Sequence, residues 1–232
     1  MPTAFPSTQN SLPPHLLRPR LQGLYVITDE RMGGGHLAIA RAALDGGAAI
    51  IQLRDKTSAW RQLLVVAHEL RHMTRAAGAL FFVNDRVDLA LAAQADGVHL
   101  GPDDMPVKAA HRILGPHRLI GASCATPDEA RAATLAGADY IAAGAIFGTS
   151  TKSDAGAAIG VAMLGKIKAA TSLPVAAIGG INRDNITAIS LTAVPMACVI
   201  SAVAKAGDEA AMTAATRELV QKFTSNSTPE CL

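Results

Sequence analysis

Cysteine, aromatic residues and net charge are all scarce in this chain, and each scarcity narrows what it can be. The 232 residues include three cysteines, Cys124, Cys198 and Cys231, an odd number with no Cys-x-x-Cys spacing. Such a set builds neither a disulfide framework nor a zinc ribbon, and leads us to expect a reducing, cytoplasmic setting. Aromatic residues make up 3% of the chain and the formal net charge is +2, too little for base-stacking platforms or a broad phosphate-binding face. A nucleic-acid partner is therefore not expected. No run of about eighteen uninterrupted apolar residues occurs, so no membrane-spanning helix is expected. Residues 1–20 carry Pro2, Pro6, Pro13, Pro14 and Pro19 among polar groups. They lack the apolar core of a signal peptide and are expected to lack fixed structure, as is the tail 224–232.

Apolar residues, by contrast, are abundant, at 50% of the chain. From Leu21 onward a short apolar run alternates with a longer helical pattern, at spacings of roughly 20 to 30 residues, the signature of βα units and a parallel sheet. The strand candidates are 24–28, 49–53, 80–84, 97–100, 119–123, 140–143, 174–178 and 196–201. Helical patterns follow at 37–45, 60–76, 87–93, 107–114, 127–135, 161–170, 185–191 and 209–223. Eight strand-helix pairs predict one closed (β/α)8 TIM barrel over residues 21–223, because open doubly wound sheets commonly stop at five or six strands. Ser58 is expected to cap the second of these helices, and Thr126-Pro127-Asp128-Glu129 reads as another helix start.

In a barrel of this kind the chemistry sits at the C-terminal ends of the strands. The third run stops at Asn84-Asp85-Arg86, and the fourth leads into Gly101-Pro102-Asp103-Asp104, so neighbouring strands bring carboxylates to one rim. Hard oxygen ligands there suit Mg²⁺, which is usually held by one or two carboxylates plus water and substrate phosphate. The second exit reads Gln52-Leu53-Arg54-Asp55-Lys56, and alternation turns Gln52 and Arg54 to one face. The fifth carries Ser123, able to donate to an anion, beside Cys124, which reads as a small strand residue with no activating base. The sixth opens into a long loop, 144–160, with Thr149, Ser150, Thr151 and Lys152, which reads as a phosphate lid. The seventh ends in Gly179-Gly180 and the eighth in Ile200-Ser201, the usual phosphate position of the fold.

His68-Glu69-Leu70-Arg71-His72 matches the zinc-protease pattern. On a helical wheel, Leu63, Val66, Ala67, Leu70, Met73 and Ala77 form the core stripe and both histidines face solvent, so zinc catalysis is not expected. His99 lies on the fourth strand, where a satisfied core histidine is the commoner outcome.

Taken together, residues 24–29, 52–56, 83–86, 96–101, 137–140, 149–152 and 177–181 resemble the thiamine-phosphate synthase (thiamine-phosphate pyrophosphorylase) family, over 24–203. The resemblance implies a transferase of thiamine biosynthesis. It would condense 4-amino-2-methyl-5-(diphosphooxymethyl)pyrimidine with 4-methyl-5-(2-phosphooxyethyl)thiazole, giving thiamine monophosphate and pyrophosphate. Carried over residue by residue, it implies that Gln52, Arg54, Lys56, Asn84 and Lys152 hold the pyrimidine diphosphate, with Ser123 assisting at the diphosphate end. Asp85 and Asp104 would bind Mg²⁺, while Thr149, Thr151, Gly180, Ile200 and Ser201 would take the thiazole phosphate. Arg54, Lys56, Lys152 and Ser123 would be the catalytic set, stabilising charge on the leaving group. Both partners would be small molecules, and the resemblance is compatible with a homo-oligomer.

The chain departs from the family pattern at Ala125, where histidine is usual, at Gly148, where proline is usual, and at Pro102, where glutamine is usual. These departures bear on rate and lid behaviour more than on reaction type. Two other readings remain, a thiazole tautomerase-like relative and a non-catalytic thiamine-phosphate binder; Ala125 argues against the first.

Overall fold

Short β-prone runs that alternate with longer amphipathic segments cannot bury both faces of a sheet until helices cover the outside and side chains fill the inside. In the computed structural model, which describes residues 14–148 and 157–225, they do so by closing into a barrel. The strands are β1 (Gly23–Thr28), β2 (Ile50–Leu53), β3 (Leu80–Asn84), β4 (Gly97–Leu100), β5 (Leu119–Cys124), β6 (Tyr140–Ala143), β7 (Val175–Ile178) and β8 (Met196–Val199). Each pairs in parallel with the next, and β8 returns to β1 through Gly23 opposite Met196. The helices are α1 (Pro14–Leu17), α2 (His36–Asp45), α3 (Trp60–Ala76), α4 (Val87–Ala92), α5 (Val107–Leu114), α6 (Pro127–Ala136), α7 (Gly160–Ala169), α8 (Ile186–Ser190), α9 (Ser201–Ala204) and α10 (Glu209–Thr224). The (β/α)8 expectation is met, with boundaries within a residue or two.

Few aromatic rings are needed to fill the interior because they are concentrated there. Tyr25, Phe82 and Tyr140 pack against one another with centroids 5.5 to 6.3 Å apart. Room for Tyr140 comes from Gly121 on the adjacent strand, where a Cβ would lie 2.1 Å from the Tyr140 ring. A separate, larger apolar layer joins the outer strand faces to the helices.

Three local expectations are corrected. The stretch expected to lack structure through residue 20 is ordered from Pro14 on: α1 and a 3-10 turn at Arg18–Arg20 lead into the barrel, and Leu17 and Leu21 are buried in its interior cluster. Arg18 donates through Nε to Asp139 at 2.8 Å, and the other oxygen of that carboxylate accepts the Ile120 N–H at 2.8 Å. Ser58 does not cap α3: its N-cap is Ala59, and the Ser58 N–H instead donates to Asp55. On α3, Thr74 joins the buried stripe and Ala77 is exposed, because the Thr74 hydroxyl can satisfy itself on the Leu70 carbonyl at 2.8 Å. The start of α6 is as expected, with the Thr126 hydroxyl accepting the Glu129 N–H. Residues 1–13 and 226–232, including Cys231, lie outside the described residues. Among the described residues no helix is long and apolar enough to cross a membrane.

Candidate active site

The C-terminal ends of the strands surround a cavity of about 370 Å³, within the range of small-molecule sites. One wall is charged and carries Arg54, Lys56, Asn84, Asp85, Asp104 and Ser123; the facing wall carries Gly144, Gly179, Gly180, Ile200 and Ser201.

The charged wall begins at the end of β3. The chain turns sharply there: the Arg86 N–H donates back to the Asn84 carbonyl at 2.7 Å, with Asp85 between them at φ +64°. A non-glycine residue in that region is costly and persists where the surroundings hold it, here through the Asp85 N–H donating to the His99 carbonyl at 2.8 Å. The turn delivers the Asp85 carboxylate to the cavity, hydrogen-bonded to that of Asp104. Asp104 is itself fixed by the Gly101 N–H, 2.7 Å from Oδ2. Burial, and then the neighbouring Asp104 carboxylate, push the Asp85 pKa up to about 6, against the opposing pull of Lys56 and Arg54.

The two β2 cations reach the same place. Lys56 Nζ is 3.7 Å from Asp85 Oδ2, and Arg54, itself buried, lies 3.8 Å from Asp29. Asp55, between them, anchors the loop: its Oδ1 accepts from the Thr57 N–H, the Thr57 hydroxyl and the Ser58 N–H, and Oδ2 meets the His36 ring at 3.3 Å. Burial opposes its charge, yet hydrogen bonds from Ser58 and Thr57 outweigh that and hold Asp55 far below the usual carboxylate range.

Two residues are placed differently from a simple reading of the strand ends. Arg86 turns away from the cavity, pairs with Asp88 at 2.8 Å and stacks on Trp60 at 4.9 Å from the ring centroid. Gln52 does face inward like Arg54, but one layer deeper, where it donates to the Tyr25 hydroxyl at 2.6 Å and does not line the cavity.

On the facing wall, Gly180 has φ +65°, and a Cβ there would stand 2.6 Å from the Gly148 carbonyl oxygen. The close approach of the β6 exit therefore demands glycine here before any ligand is considered. Ser201 opens α9, the short extra helix after β8 that this fold often uses near phosphate. Thr149, Thr151 and Lys152 lie outside the described residues. Cys124 lines the cavity with its thiol pushed up to about 12, by burial and then by Glu129, as an inert strand residue should be.

A family model described as thiamine monophosphate synthase matches residues 24–203. The chain belongs to the thiamine monophosphate synthase family. Thiamine-phosphate synthase of Moorella thermoacetica is 46% identical over 201 residues, covering 86% of this chain and 96% of that protein. That of Methanoculleus marisnigri is 50% identical over 198 residues, covering 84% and 92%. The solved thiamine phosphate pyrophosphorylase of Pyrococcus furiosus superposes with a TM-score of 0.82 at 43% identity, covering 90% of this chain and 98% of that one.

Within this family member, His99 and Glu129 also line the cavity, although sequence reasoning assigned them no role in it. His99 could have been found from alternation, since it stands two residues before Gly101 on a strand leading into the acidic loop. The zinc-like histidines His68 and His72 are both exposed on α3, and among the described residues no group of three or more His, Cys, Asp or Glu side chains is arranged to hold a metal. A pair of carboxylates is nonetheless enough for Mg²⁺.

Proposed function

We propose that this protein is a Mg²⁺-dependent thiamine-phosphate synthase, joining the pyrimidine diphosphate to the thiazole phosphate with release of pyrophosphate. The observation that carries the reading is the Asp85–Asp104 pair, held together beside Arg54 and Lys56 in a member of this family.

The donor set fits the ion. Two oxygen-only ligands in contact repel each other, which adds to the larger effect of burial in raising the Asp85 pKa, and a divalent cation would relieve that repulsion. Asp85 and Asp104 would hold it, and when bound it would supply positive charge to the phosphate oxygens of the leaving group.

The chain's own residues supply the rest. Lys56 pairs with Asp85 and Arg54, lining the same cavity, acts on that carboxylate through its charge, so a diphosphate bound there meets fixed positive charge as its C–O bond breaks. Asn84 and Ser123 offer hydrogen bonds to the pyrimidine diphosphate at the same wall. Gly180, Ile200 and Ser201, with Thr149 and Thr151, would seat the thiazole phosphate opposite. The thiazole ring nitrogen then faces the pyrimidine methylene and its lone pair forms the new C–N bond as pyrophosphate departs with the C–O electrons. Lys152, which lies outside the described residues, would add a further positive charge at the departing diphosphate. A tautomerase-like reading lacks its histidine at Ala125, and no observation favours it.

Purified protein given both substrates and Mg²⁺ should form thiamine monophosphate, identified by mass spectrometry. Failure of folded protein to form it would remove this reading.

A further inference from the structure

The polar groups inside the barrel form one connected chain that ends at the active site. Gln52 Nε2 donates to the Tyr25 hydroxyl at 2.6 Å, and that oxygen lies 3.1 Å from the Tyr140 hydroxyl. Tyr140 Oη is 3.0 Å from His99 Nδ1, and His99 Nε2 is 2.9 Å from Ser123 Oγ. Five strands, β2, β1, β6, β4 and β5, thus contribute one link each.

With a neutral His99 ring, such a chain has only two proton orders that use every link. A hydroxyl has a single proton to donate, and burial holds both tyrosines above the usual phenol range, so neither sheds it. With the Gln52 amide donating, Tyr25 must give its proton to Tyr140, and Tyr140 must give its own to His99 Nδ1. The ring then carries its proton on Nε2 and donates to Ser123. The reverse order turns the Gln52 amide over and buries its NH2 group without the acceptor it now has. In the first order the group left over is the Gln52 Oε1 atom, buried without a hydrogen-bond partner among the described residues. An under-satisfied carbonyl is more readily tolerated in a protein interior than an orphaned N–H, so the first order prevails.

We propose that Gln52, Tyr25, Tyr140 and His99 are positioning residues that orient Ser123 as a one-way hydrogen-bond donor toward the departing diphosphate, with His99 in its Nε2-protonated tautomer. The consequence is specific. Because its oxygen accepts from His99, the Ser123 hydroxyl keeps its own proton for the cavity, where Ser123 is exposed. His99 is then not a base that withdraws that proton, despite a Ser–His contact that resembles one.

This inference rests on the proposed function, in which Ser123 meets the diphosphate, and one set of variants separates the two. Tyr140→Phe, which removes the proton given to His99, should lower kcat about tenfold or more, with little change in KM for the thiazole phosphate. Ser123→Ala should cost at least as much. The double variant should be no slower than Ser123→Ala alone, because Tyr140 acts through that hydroxyl. His99→Gln, whose amide can reach the Nε2 position, should keep most of the rate that His99→Leu loses. Losses that multiply in the double variant, or a Tyr140→Phe enzyme as fast as wild type, would overturn the relay. Independently of turnover, nitrogen NMR of the histidine-labelled protein should show His99 protonated at Nε2 and bare at Nδ1; the opposite tautomer would also overturn it. If wild-type protein makes no product, the functional reading fails while the NMR result still judges the proton order.

Discussion

Replacing Asp85 by asparagine should make the folded protein more stable while removing its activity. The side chain sits at φ +64° against the Asp104 carboxylate, and its pKa is pushed from 3.8 up to about 6. A folded pKa above the unfolded one means that the folded state holds its proton more tightly, so stability falls as pH rises between those values. The cost is absent well below pH 3.8 and complete above pH 6. It amounts to about 3 kcal/mol at pH 8 and roughly half that at pH 5. Asparagine tolerates the left-handed turn, carries no charge and can donate an N–H to Asp104. In EDTA at pH 8, Asp85→Asn should therefore melt about 6–12 °C higher than wild type, with the gap narrowing toward pH 5. Mg²⁺ with pyrophosphate should raise the wild-type midpoint and leave the variant nearly unmoved. Thermal unfolding across that pH series, with turnover measured in parallel, is the assay. A variant no more stable than wild type, or a gap that does not depend on pH, would refute the reasoning.

Three further outcomes follow from the same geometry. Asp139→Ala leaves the Ile120 N–H and the Arg18 guanidinium without their shared carboxylate, so it should cost about 2–4 kcal/mol, seen as a midpoint about 5–15 °C lower. Gly180→Ala puts a Cβ against the Gly148 carbonyl at a positive φ, and should raise KM for the thiazole phosphate about tenfold or more in steady-state kinetics. His68→Ala combined with His72→Ala changes two exposed rings on α3, and should leave the melting midpoint within about 2 °C and turnover intact.

The barrel was legible because parallel strands buried on both faces appear as unbroken apolar runs, and eight of them leave little choice of architecture. The strand-exit rule then places Asp85, Asp104, Arg54 and Lys56 in one neighbourhood from the sequence alone, and all four line the cavity. Other features depend on direction and distance, which spacing does not carry. Arg86 follows Asp85 directly but stacks on Trp60, and Asp55 has the composition of a site carboxylate but ties down its own loop. Leu17 and Leu21 sit in a proline-rich stretch too short to show a period, so their place in the barrel interior was hidden. The Tyr25–Tyr140–His99 links join residues 115 and 41 positions apart, which no local pattern reveals. Gly180 was expected for the sake of an anion, whereas the nearby Gly148 carbonyl already requires it.

The central claim is that carboxylates and cations from separate βα units meet at one mouth to let a diphosphate leave. Pyrophosphate release from the purified protein tests it most directly, measured with both substrates, with each alone, and with Mg²⁺ present or chelated. The account predicts release only when both substrates and Mg²⁺ are present, and almost none from Asp85→Asn or Asp104→Asn. Release that survives chelation, or that proceeds unchanged in those two variants, would contradict it.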